Sequence, residues 1–412
     1  MEIMQDYQWL KGFNYVPSYA RNDIEFWRDY DHDTVQRELE YAKRIGFNCA
    51  RVFLAYVVYR SSSQKFLADL CDFVRTADQL GIKTIPVVWD SCFSEAEPLM
   101  SADTNEWFAN PGTMYLDEKY WAFEDAYAED LVKTLGNEAG LLLWDIHNEP
   151  MQTSYVMNYS GEQKEQHRAE IWKFVKHFCD YFHALDPVNS ITVGVEDLIS
   201  LPEIMDQCDV LSFHDYSQTW KGVRRAYEKA LQFAEQSGKS IFCSEMGCPG
   251  RANPYDIAIE IANEYGVGYV LWELMIGKCF WYDRHGVVYP DGTVRDPSIL
   301  AAVQGFFRRR EGRVEYNVNT ESFVTKALAE AEAWLQAENK DADAGLDILC
   351  KMANFLESGQ LIPDCDLPSV KYLGLEKNAD LSEMAAVMKE WAVILKADAD
   401  AKMDKNYTTL EV

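Results

Sequence analysis

The run LLLWDIHNEP, residues 141–150, decides the fold. Its first half is apolar and its end collects Asp145, His147, Asn148 and Glu149. A strand covered on both faces reads as such a continuous apolar run, and in a parallel α/β protein the polar residues gather at its C-terminal end. Working outward, seven more runs have this character: KGFNYV (11–16), NCARVFL (48–54), KTIPVVW (83–89), SITVGV (190–195), DVLSFHDY (209–216), SIFCSE (240–245) and GYVLWEL (268–274). Segments of helical period lie between them, at 33–44, 64–80, 122–135, 162–184 and 221–236. Gly46, Gly81 and Gly238 fall where a helix stops before the next strand. Alternating strand and helix predict a parallel sheet, and eight such units close as a (β/α)8 barrel. An open doubly wound sheet would show a glycine-rich phosphate loop after a strand, and no such loop is present.

The strand signals stop near Arg313. Beyond it three apolar stripes at helical spacing follow: Val324, Leu328, Ala331, Leu335; Leu346, Leu349, Ala353, Leu356; and Leu381, Met384, Met388, Trp391, Leu395. The expected organisation is a catalytic barrel over 1–312 and a small α-helical accessory region over 313–412. Three short helices with narrow stripes need a surface to cover them, so packing on the barrel or self-association into a homo-oligomer is expected of this region.

Bulk properties narrow the function. A net charge of −28 repels a phosphate backbone, which argues against nucleic acid and against polyanionic substrates. No run of eighteen apolar residues occurs, so no membrane partner is expected. The ten cysteines are scattered singly without a CxxC pair, a pattern of reduced thiols. With no signal-peptide pattern in MEIMQDYQWLKGFNY, a cytoplasmic location is expected. Paired histidines of a metal-dependent hydrolase are missing from the first strand, so neither a metal nor another cofactor is expected.

In a closed α/β barrel the strand ends meet over one mouth. Here those ends supply Asn14, Arg51, Asp90, Asn148, Glu149, Glu196, His214, Tyr216, Glu245, Trp272 and Glu273. Two carboxylates across one pocket are what glycoside hydrolysis requires, at about 5 to 5.5 Å for retention and about 6.5 to 9.5 Å for inversion. Glu149 and Glu245, at the ends of the fourth and seventh strands, form such a pair only if the barrel closes. Glu196 and Glu273 are the competing carboxylates.

At these residues the sequence resembles the clan A glycoside hydrolases, most closely family 5. WDIHNEP resembles the strand-four signature that carries the acid/base, and IFCSEMG the strand-seven signature that carries the nucleophile. Arg51, His214, Tyr216 and Trp272 stand at further clan positions, and the likeness covers about the first 310 residues. It implies a retaining β-glycosidase with Glu149 as acid/base and Glu245 as nucleophile, acting on β-linked neutral oligosaccharides or small glycosides. Asn148, Arg51, His214, Tyr216, Trp272, Asp90 and Asn14 are then expected around the carbohydrate substrate. A transglycosidase using the same glutamates and a sugar-binding barrel without activity are the alternatives. Strand three ends in Trp89-Asp90-Ser91-Cys92, which departs from the family pattern and leaves the sugar unspecified. Trp107, Tyr115 and Trp121 could extend a sugar platform, and Trp281, Tyr282 and Asp283 are expected in a loop over the mouth.

Overall fold

The computed structural model describes residues 7–92, 100, 107–279, 284–307, 314–357 and 380–406. Eight parallel strands close on themselves: β1 (Lys11–Asn14), β2 (Cys49–Phe53), β3 (Lys83–Asp90), β4 (Trp144–Asn148), β5 (Ile191–Val195), β6 (Leu211–Asp215), β7 (Ile241–Met246) and β8 (Gly268–Leu271), with β8 pairing back onto β1. The fold is therefore the (β/α)8 barrel. The helices of the outer ring begin and end where side chains can satisfy the backbone groups left open at a helix terminus. Asp31 accepts from the Thr34 amide at 2.7 Å to open His32–Ile45, and Thr219 accepts from Gly222 to open Trp220–Ser237. Gly46 and Gly238 close these helices with φ of 106° and 68°, values that side chains with a Cβ resist.

One unit departs from strict alternation. Between β5 and β6 the chain makes only a 3-10 turn, Leu201–Glu203, because this short link carries Pro202 and has no room for a full helix.

Packing inside the barrel is layered. Leu10, Cys49, Ile85, Leu143, Phe242 and Val270 plug the N-terminal end, all fully buried. At the C-terminal end Phe53, Val87 and Trp272 form an aromatic and aliphatic cluster with Trp107 and Tyr216 against it. Between these apolar layers lies a charged one holding Arg51 and Asp145, both at 0 % exposure. The ladder is irregular where that layer meets the mouth: register shifts fall between Asp145 and Asn148, between Phe213 and His214, and between Cys243 and Met246. Such bulges re-aim side chains at the rims of barrels.

The chain divides into two compact units, Met1–Phe307 and Arg308–Val412. In the second, the helices Val314–Gln336, Ala342–Glu357 and Leu381–Asn406 enclose a core of their own, in which Leu349, Met352, Met388, Trp391 and Leu395 are buried. No strand occurs among the described residues from 308 onward. Among the described residues no helix is long and apolar enough to cross a membrane, and Cys49, Cys71, Cys92, Cys179, Cys208, Cys243, Cys248 and Cys279 are free thiols. Cys365 lies outside the described residues.

Candidate active site

Closure brings Glu149, from the end of β4, and Glu245, from β7, to one pocket at the C-terminal mouth. The pocket is lined also by Phe53, Cys92, Trp107, Asn148, Gln152, Glu196, Tyr216, Arg251, Trp272 and His285, and holds about 240 Å³. One carboxylate oxygen from each of Glu149 and Glu245, together with an imidazole nitrogen of His214, lie within 4.8 Å of one another.

Arg51 organises the floor. Its guanidinium donates to Asp145 Oδ2 at 2.8 Å, to Asn14 Oδ1 at 2.8 Å, to Glu245 Oε1 at 2.7 Å and to Asn148 Oδ1 at 2.7 Å. A planar fork with five N–H donors meets four acceptors at once, as an ammonium could not. Asn14 in turn donates to the carbonyls of Ser244 and Leu271, so it braces Arg51 from beneath and does not line the pocket. Gly194 on β5 completes this layer by having no side chain. A Cβ there would lie 2.7 Å from Arg51 Nη2 and 3.0 Å from Asp145 Oδ2.

The two glutamates have different surroundings. Glu245 accepts from Arg51 on one oxygen and from the Tyr216 hydroxyl on the other, at 3.0 Å. Glu149 is hydrogen-bonded to His214 Nδ1 at 2.7 Å and accepts from the Cys92 thiol at 2.8 Å. Burial pushes both carboxyls up; His214 and the Arg51 charge oppose this at Glu245, the Cys92 thiol and Arg51 at Glu149. Two carboxylates this close resist double ionisation. The proton belongs on Glu149, because Glu245 is the one in contact with the guanidinium. Burial drives His214 down to about 4, so its ring is neutral at pH 7. Burial also raises the Tyr216 hydroxyl and the Cys92 thiol, which keeps both protonated and able to donate.

Glu149, His214 and Glu245 offer the donor types of a metal site. The guanidinium 2.7 Å from Glu245 already supplies positive charge there, and a cation beside it would be repelled.

Of the other residues expected around a substrate, Asn148, Tyr216 and Trp272 line the pocket. Trp272 meets Phe53 and Trp107 edge-on at 5.6 and 6.0 Å and is held from behind by Tyr255, whose hydroxyl donates to its carbonyl at 2.7 Å. His214 reaches the pocket through its contact with Glu149. Asp90 sits behind the wall, bonded to Asn148, to Cys92 N and to the Trp107 indole. Of the competing carboxylates, Glu196 lines the pocket and is pushed up to about 7 by burial, while Glu273 is fully buried outside it. Trp107 joins the wall. Trp121 and Tyr115 pack elsewhere, against His177 and Tyr56 respectively. Tyr282 and its two neighbours, 281 and 283, lie outside the described residues.

Sequence reasoning passed over Asp145, Cys92, Arg251 and His285. Asp145 could have been found from its neighbour: a buried Arg51 needs a second carboxylate. Arg251 and His285 carry no such signal, since both come from loops.

No family model matches this sequence, and no curated protein matches it. Solved structures do share its fold. A GH5_18 protein of Streptomyces cattleya, in complex with Manb1-4GlcNAc, is 16 % identical with a TM-score of 0.55, the match covering 73 % of this chain and 80 % of that one. The exo-beta-1,4-mannosidase Op5Man5 of Opitutaceae bacterium strain TAV5 is 16 % identical, with a TM-score of 0.54 over 72 % of this chain and 59 % of that one. The endo-1,4-beta-mannanase of Rhizomucor miehei is 15 % identical, with a TM-score of 0.53 over 72 % of this chain and 93 % of that one. The chain resembles, in its barrel, the clan A glycoside hydrolases of family 5.

Proposed function

We propose that the barrel is a retaining β-glycosidase acting by double displacement on neutral β-linked oligosaccharides or small glycosides. The observation that carries this is the asymmetric pair: Glu245 bonded to Arg51 and Tyr216, Glu149 bonded to neutral His214 and a thiol, with one oxygen of each within 4.8 Å of one oxygen of the other. An approach this close supports the shorter spacing, roughly 5 to 5.5 Å between carboxyl groups, that retaining enzymes use.

In the first step Glu149 gives its proton to the glycosidic oxygen while Glu245 attacks the anomeric carbon. The carbon–oxygen bond to the leaving group breaks and a glycosyl ester on Glu245 forms. Glu149, now ionised, takes a proton from water, which attacks the same carbon and releases Glu245. Asn148 keeps one amide N–H beyond its bond to Asp90, and that hydrogen faces the sugar 2-hydroxyl, whose contact tightens as positive charge develops on the ring. Phe53, Trp107 and Trp272 supply the apolar wall for a sugar ring. The pocket volume of about 240 Å³ suits one or two sugar units rather than a long open cleft. Free thiols suit a reducing cytoplasm, where short imported oligosaccharides would be met. Because the similar structures are named for β-mannosides, these are the first glycosides to try.

The test is a pair of alanine variants. Glu245→Ala abolishes turnover, and azide or formate restores it with the opposite anomeric configuration, the anion filling the space of the lost carboxylate. Glu149→Ala spares activated aryl glycosides and damages substrates with poor leaving groups. Turnover by Glu245→Ala without added anion would overturn the assignment.

A further inference from the structure

We infer that Asp90 is a positioning residue that ties three walls of the pocket together and reaches the acid/base through Cys92; this deepens the glycosidase reading and rests on it. The carboxylate is 4 % exposed and lies outside the pocket lining, yet each of its bonds ends on a residue that lines it. Oδ2 accepts from the Trp107 indole at 2.7 Å. Oδ1 accepts from Asn148 Nδ2 at 3.0 Å and from the Cys92 amide at 2.8 Å. Cys92 then donates its thiol to Glu149 Oε2 at 2.8 Å. The aromatic wall, the amide facing the sugar and the donor on the acid/base thus share one anchor.

The anchor is itself fixed. Asp90 ends β3 and exchanges both backbone hydrogen bonds with Asn110, each at 2.7 Å. The Asn110 side chain staples that segment to the barrel, donating to the Leu54 and Val88 carbonyls and accepting from the Tyr56 amide. A buried carboxylate with four acceptor sites can hold three donors in different directions, and no neutral side chain of this size can. Burial raises its carboxyl to about 7 while the three donors oppose the rise, so the pocket walls and the charge on Asp90 stabilise one another.

A carboxylate that only filled space would, when replaced, weaken folding and lower all activities alike. A positioning role predicts a split. Asp90→Ala removes all three acceptors, so Asn148, Trp107 and Cys92 lose their alignment. Glycosides with poor leaving groups, which need the proton of Glu149, should lose about tenfold or more in kcat/KM, and activated aryl glycosides much less. KM should rise for both through the loosened aromatic wall. Asp90→Asn keeps one acceptor oxygen and should fall between Asp90→Ala and the parent. Cys92→Ala should reproduce the leaving-group split without the rise in KM, because Trp107 and Asn148 keep their anchor.

The experiment combines these kinetics with crystal structures of Asp90→Asn and Asp90→Ala in the full chain, each checked for a cooperative thermal transition. The expected result is a displaced Trp107 indole and a broken Cys92–Glu149 contact, with Arg51, Tyr216 and Glu245 in place. Unmoved walls in both variants would overturn the inference, whatever the glycosidase assays give. An equal loss for good and poor leaving groups would overturn it as well. Displaced walls in a protein whose parent form cleaves no β-glycoside would leave the anchor standing and remove the proposed function instead.

Discussion

Replacing Arg51 by methionine tests the charged layer on which the site is built. The change keeps an unbranched stem but shortens it and removes every donor, leaving Asp145 and Glu245 as buried carboxylates at 0 % and 5 % exposure without their counter-charge. Breaking a buried ion pair from one side costs about 3 to 5 kcal/mol. The Asn14 and Asn148 oxygens lose their donor as well. A domain of this size withstands that loss, since native stabilities run to about 5 to 15 kcal/mol. The barrel therefore stays folded and its kinetics can be read. Arg51 holds Glu245 down against the effect of burial, so without it the carboxyl rises and the nucleophile is protonated over a wider range. The acid limb of the kcat/KM profile, which requires ionised Glu245, should move to higher pH. Unfolding in urea followed by tryptophan fluorescence measures the first effect, and hydrolysis of a nitrophenyl β-glycoside across pH 4 to 9 measures the second. A stability change below about 1 kcal/mol together with an unmoved acid limb would refute the claim that Arg51 both carries the layer and holds the nucleophile ionised.

Three further outcomes follow from the same geometry. Gly194→Ala places a Cβ 2.7 Å from Arg51 Nη2, and because the guanidinium is bonded on every side the clash cannot relax; a loss of about 1 to 3 kcal/mol in stability with a fall in kcat is expected, checked by calorimetry and kinetics. Burial raises Asp23, Glu124 and Glu273 to about 8 and Asp90 and Glu196 to about 7 in the folded state, whereas unfolded carboxylates titrate near pH 4. Between the two values the native state thus holds more protons than the unfolded one, so the contribution of these groups is fully present below about pH 4. It should decline as pH rises from about 4 to about 8, each group adding up to about 1.4 kcal/mol per pH unit; urea midpoints that rise from pH 5 to 8 would contradict this. Removing residues 313–412 should lower solubility or change the oligomeric state while sparing hydrolysis, and identical mass in solution and melting temperature would count against a packing role for the helices.

The fold was legible because each strand is an apolar run that ends in polar residues. Seven of the eight strands start within two residues of the run that announced them; β4 starts at Trp144 rather than Leu141, since Leu141 pairs only with Thr84 across an isolated bridge. The proposed catalytic pair was singled out for a different reason, a local motif. What stayed hidden is what depends on direction. Asp90 and Asn14 stand at strand ends as expected but do not line the pocket: Asp90 is taken up by Asn148, Trp107 and the Cys92 amide, and Asn14 by Arg51 and two carbonyls, partners that only barrel closure brings together. Cys92 looked like any other scattered thiol until closure set it against Glu149. Arg251 reaches the mouth from a turn after β7, and its ring contact with Tyr216 has no counterpart in the local sequence.

Glu149 has φ of 43°, one of two non-glycine residues among those described with a left-handed backbone, the other being Ala252. Such a conformation costs about 1 to 3 kcal/mol for a residue with a Cβ. Under the proposed function, the acid/base is thus a standing burden on the fold, kept only while catalysis selects it. In a lineage of this barrel released from hydrolysis, position 149 should be among the first to drift toward glycine or asparagine, since either relieves the backbone at once. Retired copies would then be recognisable by a stabilised barrel that has lost its proton donor while Arg51, locked into the core by Asp145, persists as a relic of the former chemistry.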